Sequence, residues 1–265
     1  MQTGEDKKYK LTIRSVIMEP FMIYTGNHLF HYTNFESALK IIATRSLKFG
    51  NFEDMNDIAE ANREVFGMVD DDIVYRALSE YHSISLTLDN SSRRGFSIDP
   101  LWGHYAQKGN GVCLVFDKNA LRRSLTTQFG KNAKIAPVKY QSDYTGTIFT
   151  DGDSEEEVRK YIADYIEDIF FTKSTDWEYE HEVRILIKEK NSEYFYFGED
   201  SLIAVIICLP KVWDYKETPE FKILKNVLPH KPILRYTTTF GNRELVNEDG
   251  DKMCGIIGLD WQLAI

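Results

Sequence analysis

The chain has 265 residues, 43% of them apolar and 28% charged, and its formal net charge is -9. This length can bury one large core or two modest ones. The negative charge repels phosphate backbones, which weighs against non-specific nucleic-acid binding but allows a small basic cleft. The longest apolar run, residues 202–210, is too short to span a bilayer and predicts a buried strand. The first residues carry no apolar stretch typical of a signal peptide, so we expect a cytoplasmic protein without membrane contact.

The motifs of several enzyme classes are missing from the sequence. It contains no Walker loop, no GxGxxG after a strand, no GxSxG elbow and no HExxH pair. Cys113, Cys208 and Cys254 are widely spaced and have no clustered ligands nearby. They are expected to be reduced thiols, and we predict no metal site.

Hydrophobic periodicity and turn residues predict the elements of the first half of the chain. In order, they are a strand in KLTIRSVI, a strand over 28–32, a helix over 35–45 capped by Thr33 or Asn34, a strand in SLKFG, a helix through Met68, a helix in DDDIVYRALSEYH, a strand in SISLTL, a short helix over 102–106 and a strand over 112–116.

The second half begins with a strand in APVKYQ and a long helix in DSEEEVRKYIADYIEDIFFTKS, whose acidic first turn suits the helix dipole. A strand in EHEVRILIKE follows, with EYFYFG as its hairpin partner, then a strand in IAVIICL, a helix in TPEFKILKNVL and terminal strands in PILRYTTTF and GIIGLDWQLAI. The order has no regular βαβ rhythm. It predicts a single α+β domain with mixed or antiparallel split sheets flanked by helices.

The sequence contains, in this order, the blocks HYTNFESALKII, MNDIAE, LWGHYAQKGNGVCLVFD and KSTDWEYEHEVRIL. Together they resemble an uncharacterised bacterial family known as domain of unknown function 2971. HYTNFESALKII looks like its opening H-Y-T, and MNDIAE resembles its F-N-D-P-F-E, with Asn56, Asp57 and Glu60 kept and the Phe, Pro and second Phe replaced. LWGHYAQKGNGVCLVFD resembles M-W-x-H-Y-A followed by a glycine and a strand ending in Asp. KSTDWEYEHEVRIL resembles K-x-x-x-W-x-x-E-x-E-x-R. The blocks predict a family-like core over about 29–210 and a C-terminal extension over 211–265.

More distantly, H-Y-T on a first strand and E-x-E on a late strand resemble the layout of ADP-ribosyltransferases, which include DNA-modifying toxins of toxin–antitoxin pairs. The resemblance implies two small sheets around a cleft that holds NAD, a first-strand His that binds the nicotinamide-side ribose, and a late Glu that drives loss of nicotinamide. His31 takes the first role, with Tyr32 and Thr33 beside it as NAD contacts. The alternative for His31 is a half-buried imidazole paired with a backbone carbonyl.

Glu180 and Glu182 are the candidate catalytic carboxylates, with Glu182 preferred. Two positions apart on a strand, they would share a face, and their repulsion would raise the pKa of one of them. A carboxylate can stabilise the positive charge that develops on ribose when a glycosidic bond breaks. Arg184 lies on the same face, as an NAD contact or as the partner in a purely structural Glu–Arg cluster, and both interpretations remain open.

Trp102, His104 and Tyr105 stand beside a glycine-containing turn. Either aromatic ring could stack on nicotinamide or adenine, and His104 could contact a phosphate or a base. The alternative is a short core helix, which is favoured for Trp102.

For several charged residues two interpretations exist, a contact with a ligand or an ordinary structural role such as a solvated charge or a helix cap. Arg93, Arg94 and Lys108 could bind a pyrophosphate, although solvated charges are the favoured interpretation. Lys173 could pair with a phosphate or cap the preceding helix. For Asn56, Asp57 and Glu60 a capping box is preferred over a place at the cleft.

The function expected from this resemblance is an NAD-consuming ADP-ribosyltransferase or NAD glycohydrolase, acting as a bacterial toxin or phage-defence effector, with NAD as substrate. Its acceptor could be a protein or a nucleic acid, and an antitoxin or another defence component could be its partner. Two alternatives remain: a nuclease or nucleotide-processing effector that uses His31, His104 and the carboxylates, and a non-catalytic sensor that binds a peptide or nucleotide.

Overall fold

The structure is a computed structural model that describes residues 27–52, 55, 71–89, 94–142, 154–189, 192–209, 211–212, 214–239, 242–250 and 252–256. The strand expected in KLTIRSVI and the helix expected to end at Met68 lie outside these residues, as do Asn56, Asp57, Glu60 and Arg93.

The strands of the described residues lie close to most of the predicted positions. They are β1 (His28–Thr33), β2 (Ser46–Lys48), β3 (Tyr81–Leu88), β4 (Val112–Asp117), β5 (Ala133–Pro137), β6 (Lys139–Gln141), β7 (Thr172–Ser174), β8 (Glu182–Lys188), β9 (Tyr194–Tyr196), β10 (Leu202–Cys208), β11 (Ile233–Thr239), β12 (Asn242–Val246) and β13 (Lys252–Ile256).

The helices are mostly short, and several begin at a side-chain cap. They are α1 (Phe35–Thr44), α2 (Asp71–Leu78), α3 (Asp99–His104), α4 (Lys118–Phe129), α5 (Glu155–Asp164), α6 (Ile166–Phe170) and α7 (Pro219–Val227). Asn34 caps α1 by accepting a hydrogen bond from the Ser37 backbone N–H, which selects one of the two caps that the sequence offered.

One mixed sheet organises the fold, in the strand order β13-β12-β11-β10-β4-β1-β3-β8-β5. Its neighbouring strands are antiparallel except β10 and β11, which run parallel because α7 carries the chain back between them. Two further small sheets pair β2 with β9 and β6 with β7. The predicted α+β class is confirmed at this level, and the segment after residue 210 extends the same sheet.

The sheet is forked between β1 and β3. β1 pairs with β4 from His28 to Thr33, but it pairs with β3 at only two positions, Leu29 with Leu88 and Phe30 with Thr87. Beyond those pairs the two strands part. The fork divides the sheet into a larger portion from β13 to β1 and a smaller portion of β3, β8 and β5.

The two faces of the sheet bury different cores. On the first face a single large cluster contains Leu29, Leu114 and Ile185. The second face carries two separate clusters: an aromatic cluster built around Phe30, Trp102 and Tyr236, and a smaller one around Tyr81 and Leu186. Because side chains alternate along each strand, the register of the sheet decides which residues reach each face.

Several elements differ from the prediction. Helix α4 was not predicted, although its signal is present: the Asp117 carboxylate accepts from the Ala120 backbone N–H, and Leu121 and Leu125 are buried on one side. Strand β12 was also not predicted. The expected helix over 102–106 is instead Asp99–His104.

The predicted pairing of EYFYFG was wrong. Strand β9 pairs with β2, because both edges of β8 are already occupied by β3 and β5. The strand predicted in APVKYQ is divided at Val138 into β5 and β6, which belong to different sheets. The long helix is likewise interrupted at Tyr165.

We expect Gly111→Ala to destabilise the protein by about 1–3 kcal/mol, because an added Cβ would lie 2.6 Å from the Thr33 carbonyl oxygen and 2.8 Å from the Ala106 carbonyl carbon. Backbone on both sides cannot move aside as a side chain can. Urea unfolding measures the loss. Gly103→Ala is the control, since no atom lies within 4 Å of its Cβ position, and it should be neutral or stabilising. Equal effects of the two changes would contradict the predicted close approach.

Candidate functional site

A cluster of charged and hydroxyl side chains lies on the second face of the sheet. We call it the carboxylate cluster. Its members are Ser85 on β3, Tyr105 directly after α3, Tyr140 on β6, Lys173 on β7, Glu180, and Glu182 and Arg184 on β8. Arg184 pairs with Ser85 in the sheet register and Glu182 with Thr87, and Thr87 in turn pairs with Phe30 of the aromatic cluster.

The two glutamates reach the same place by a different route from the one predicted. Glu182 begins β8, but Glu180 ends a short 3-10 helix, Thr175–Glu180. Between them His181 has a left-handed backbone (φ 46°, ψ 47°), so the pair does not lie on one continuous strand. The carboxylates still converge, because the Lys173 ammonium lies 2.8 Å from Glu180 Oε2 and 3.5 Å from Glu182 Oε2.

Glu182 and Arg184 form a buried ion pair. Arg184 Nε lies 2.8 Å from Glu182 Oε1 and Arg184 Nη2 lies 3.0 Å from Oε2, which is a two-pronged contact. Arg184 Nη1 also donates to the Phe170 carbonyl at 2.6 Å, and the guanidinium lies over the Phe52 ring. The structural Glu–Arg cluster that the sequence left open is therefore present. It holds the Glu182 carboxylate in one orientation.

Glu182 is ionised in this setting. Burial raises its pKa, but the Arg184 guanidinium, the Lys173 ammonium and a hydrogen bond from Ser85 together bring the pKa below its ordinary value. The Ser85 hydroxyl donates to Glu182 Oε1 at 2.6 Å. The Glu182 backbone N–H donates to the Tyr140 hydroxyl at 2.8 Å, which fixes the start of β8.

Glu180 joins two distant parts of the chain. Its Oε1 accepts from the Tyr105 hydroxyl at 2.9 Å, and its Oε2 accepts from Lys173. Lys173 in turn lies 4.6 Å from the centre of the Trp177 ring. Tyr105 was predicted from the third block and Glu180 from the fourth, and the structure brings them into direct contact.

Access to the cluster differs from one member to another. Both glutamates, Lys173 and Arg184 are buried, whereas Ser85 is exposed and Tyr105 is partly exposed. Along β3, Ser85 stands between Tyr81, which belongs to the smaller cluster of the second face, and Thr87, which adjoins the aromatic cluster. The two members that solvent reaches are therefore hydroxyl-bearing side chains, each hydrogen-bonded to one of the buried carboxylates.

His31 lies apart from this cluster. It pairs with Leu114 and alternates with Phe30, so its side chain belongs to the first face, whereas Glu182 belongs to the second. Its imidazole hydrogen-bonds to the backbone of Ser85. Burial lowers the pKa of His31 to about 4, so the ring is neutral near pH 7. Ser85 contacts both residues, with its backbone bonded to His31 and its hydroxyl to Glu182.

Most of the other predicted NAD contacts lie in the core or away from the carboxylates. Trp102 is 3% exposed, stacks on Tyr236 at 5.2 Å and donates from its indole nitrogen to the Phe96 carbonyl. Tyr32 contacts Trp102 edge-on, and Thr33 is buried. His104 is exposed, with its ring 6.2 Å from that of Tyr105. The core interpretation of Trp102 thus agrees with the structure.

Two of the three basic residues proposed for a pyrophosphate, Arg94 and Lys108, belong to the described part of the chain. Arg94 is buried and pairs with Asp89 at 2.7 Å, rather than being solvated. Lys108 is exposed on the turn Gln107–Gly109, where its backbone is left-handed.

No pattern in the sequence pointed to Ser85 or Tyr140, and Lys173 was expected to contact a phosphate or to cap a helix. Ser85 becomes part of the site only because β3 pairs with β8 in the observed register. Among the described residues no group of three His, Cys, Asp or Glu side chains could hold a metal ion. No described helix is both long and apolar enough to cross a membrane.

Residues 101–185 match the model of a family described as "Protein of unknown function (DUF2971)". The match covers the third block and nearly all of the fourth, about a third of the chain, and it confirms the resemblance to that family. Tyr105, Lys173, Glu180, Glu182 and Arg184 all lie within it. Neither comparison, with curated proteins or with solved structures, gives a match.

We expect Arg184→Met to destabilise the protein by about 3–5 kcal/mol, because the change leaves the buried Glu182 charge without its main partner. Adding Glu182→Leu should recover much of that loss, since no uncompensated charge then remains at position 182. Urea unfolding of the single and double variants measures both effects. Arg123→Met removes an exposed partner of Asp200 and should cost less than about 1 kcal/mol. A similarly small cost for Arg184→Met would contradict the importance of the buried pair.

We expect the stability of the protein to fall as the pH drops from about 6.5 to about 4, partly because of His31. The ordinary pKa of His31 is 6.5, and its pKa in the folded protein is about 4. Between these pH values the unfolded chain binds a proton at His31 that the folded chain does not bind. The loss attributable to this residue is on the order of 3 kcal/mol at the lower limit. Urea midpoints across this range should fall less steeply for His31→Gln than for wild type. His104→Gln is the exposed control, and parallel curves for all three proteins would contradict the assignment.

Proposed function

We propose that the protein is an NAD-consuming enzyme of the ADP-ribosyltransferase type, an ADP-ribosyltransferase or an NAD glycohydrolase. The observation that carries the proposal is the ionised Glu182 carboxylate, held by Arg184 and hydrogen-bonded to the exposed Ser85. An oriented, ionised carboxylate is the feature that loss of nicotinamide from NAD requires.

Loss of nicotinamide from NAD requires a group that stabilises the positive charge developing on the ribose. When the bond between the nicotinamide nitrogen and ribose C1′ breaks, the ribose takes on oxocarbenium character, as in glycoside hydrolysis. Glu182 is the group that faces this charge in our proposal, because its pKa is low enough to keep it ionised at neutral pH. Arg184 fixes the orientation of the carboxylate before substrate binds, so little reorganisation accompanies the reaction.

Glu180 and Tyr105 form the neighbouring part of the proposed site. Tyr105 is partly exposed and already donates to Glu180, so a ribose hydroxyl can replace or extend that hydrogen bond. The Tyr105 ring offers an apolar surface for nicotinamide stacking. Lys173 holds both glutamates close together by neutralising part of their repulsion. His31 has no substrate contact in this proposal. This differs from the ADP-ribosyltransferase layout, in which a first-strand His binds the ribose.

The sheet architecture is compatible with the proposed class. The fork between β1 and β3 gives two sheet portions, and ADP-ribosyltransferases hold NAD where two small sheets meet. We therefore include an ADP-ribosyltransferase-like fold in the proposal. The analogy concerns layout, and the function is argued from the carboxylate cluster.

The biological role that we propose is that of a bacterial toxin or phage-defence effector in the cytoplasm, where NAD is available. Its partners would be a protein or nucleic-acid acceptor and an antitoxin or another defence component. The buried thiols of Cys113 and Cys208 agree with a reducing compartment, because neither is in a disulfide.

Incubation with NAD, with free nicotinamide as the readout, tests the proposal. Wild type should release nicotinamide, and Glu182→Gln should lower the rate at least about a hundredfold, because the neutral amide cannot stabilise the ribose cation. Glu180→Gln should cause a smaller loss, since Glu180 lies beside the proposed reaction centre.

Glu178→Gln is the matched control, because Glu178 is exposed on the same 3-10 helix, two residues from Glu180. It should retain the wild-type rate. Thermal melting of each sample separates lost chemistry from lost folding. Unchanged release in folded Glu182→Gln would refute its role. If wild type neither binds NAD nor releases nicotinamide, the enzyme proposal fails, and the nuclease or sensor interpretations replace it.

A further inference from the structure

Ser85 occupies an unusual position on its strand. Most residues of β3 are buried, but the Ser85 side chain is exposed and points to the face that carries the carboxylate cluster. Its hydroxyl lies 2.6 Å from Glu182 Oε1. An exposed hydroxyl is thus joined directly to a buried, ionised carboxylate.

The contacts of Ser85 match the arrangement that activates a nucleophile. Such an arrangement places a hydroxyl within hydrogen-bond reach of a base, and a third group orients that base. Here Glu182 accepts the Ser85 proton, and Arg184 holds the carboxylate through both of its oxygens. The backbone of Ser85 is itself held by the His31 imidazole. Serine, carboxylate and guanidinium therefore form a nucleophile, a base and an orienting group.

The position of Ser85 also suits an electrophile at Glu182. In the proposed reaction the ribose cation lies against the Glu182 carboxylate. Any ribose carbon in contact with Oε1 is then within reach of an oxygen that lies 2.6 Å from the same atom. Rotation of the serine side chain between its staggered rotamers can expose Oε1 and turn Oγ towards the sugar.

We propose that Ser85 Oγ is an acceptor of ADP-ribose, so that the protein modifies itself at this residue. The inference rests on the proposed function and names its acceptor. The bond between C1′ and the nicotinamide nitrogen breaks, and its electron pair leaves with neutral nicotinamide. A bond forms between Ser85 Oγ and C1′, and the hydroxyl proton passes to Glu182 and then to water. NAD is the only co-reactant, and no group is oxidised or reduced.

A modified Ser85 would block its own site. The attached ADP-ribose would cover Glu182 Oε1, which is hydrogen-bonded to this residue. Nicotinamide release should therefore slow after about one turnover per chain.

Intact-mass and peptide mass spectrometry after incubation with NAD test the inference, together with nicotinamide release. Wild type should gain one ADP-ribose that maps to Ser85. Ser85→Ala should gain none, and Ser85→Thr should restore the adduct because it keeps a hydroxyl. Ser79→Ala is the control, since Ser79 is an exposed serine just before β3.

Each other outcome decides against the inference. An adduct that persists in Ser85→Ala, or that maps to another residue, overturns it. Nicotinamide release by wild type without any adduct overturns it while the proposed function stands. Absence of both release and adduct in folded wild type overturns the inference and the proposed function together.

Discussion

The buried pair of Glu182 and Arg184 is the interaction on which the site depends. Two charges removed from water are costly, and the cost is offset only when geometry and further hydrogen bonds are good. Here the guanidinium contacts both carboxylate oxygens and the Phe170 carbonyl, while Ser85 supplies one more hydrogen bond. Such a pair stabilises one arrangement of β3 and β8 and leaves a fixed negative charge beside an exposed hydroxyl.

The surrounding fold explains why an exposed hydroxyl lies beside this charge. Large hydrophobic side chains fill the first face in a single cluster, but the second face has two clusters with Ser85 between them. The fork between β1 and β3 begins at the same level of the sheet. Tyr105, which follows α3, reaches Glu180 before β8, so the two blocks of the family match meet in space at the carboxylates.

Local patterns predicted much of the fold. Helix caps and hydrophobic periodicity, both local in the sequence, predicted three elements: the helix capped by Asn34, the buried strand β10 and the helix capped by Thr218. Strand partners were harder, because β9 has the alternation of a hairpin partner yet pairs with β2, and nothing within β9 encodes that choice. His31 was placed with the carboxylates by analogy, but strand alternation puts it on the other face of the sheet.

The sequence by itself determined the α+β class, most element positions and the shared face of Glu182 and Arg184, because these depend on local spacing and periodicity. The tertiary structure alone decided that Glu182 is paired and ionised, that Tyr105 binds Glu180, and that Ser85 belongs to the site. Those facts depend on the register between β3 and β8 and on contacts between residues far apart in the chain. A shift of one residue in that register would move Ser85 to the opposite face, and no local pattern in the sequence fixes it.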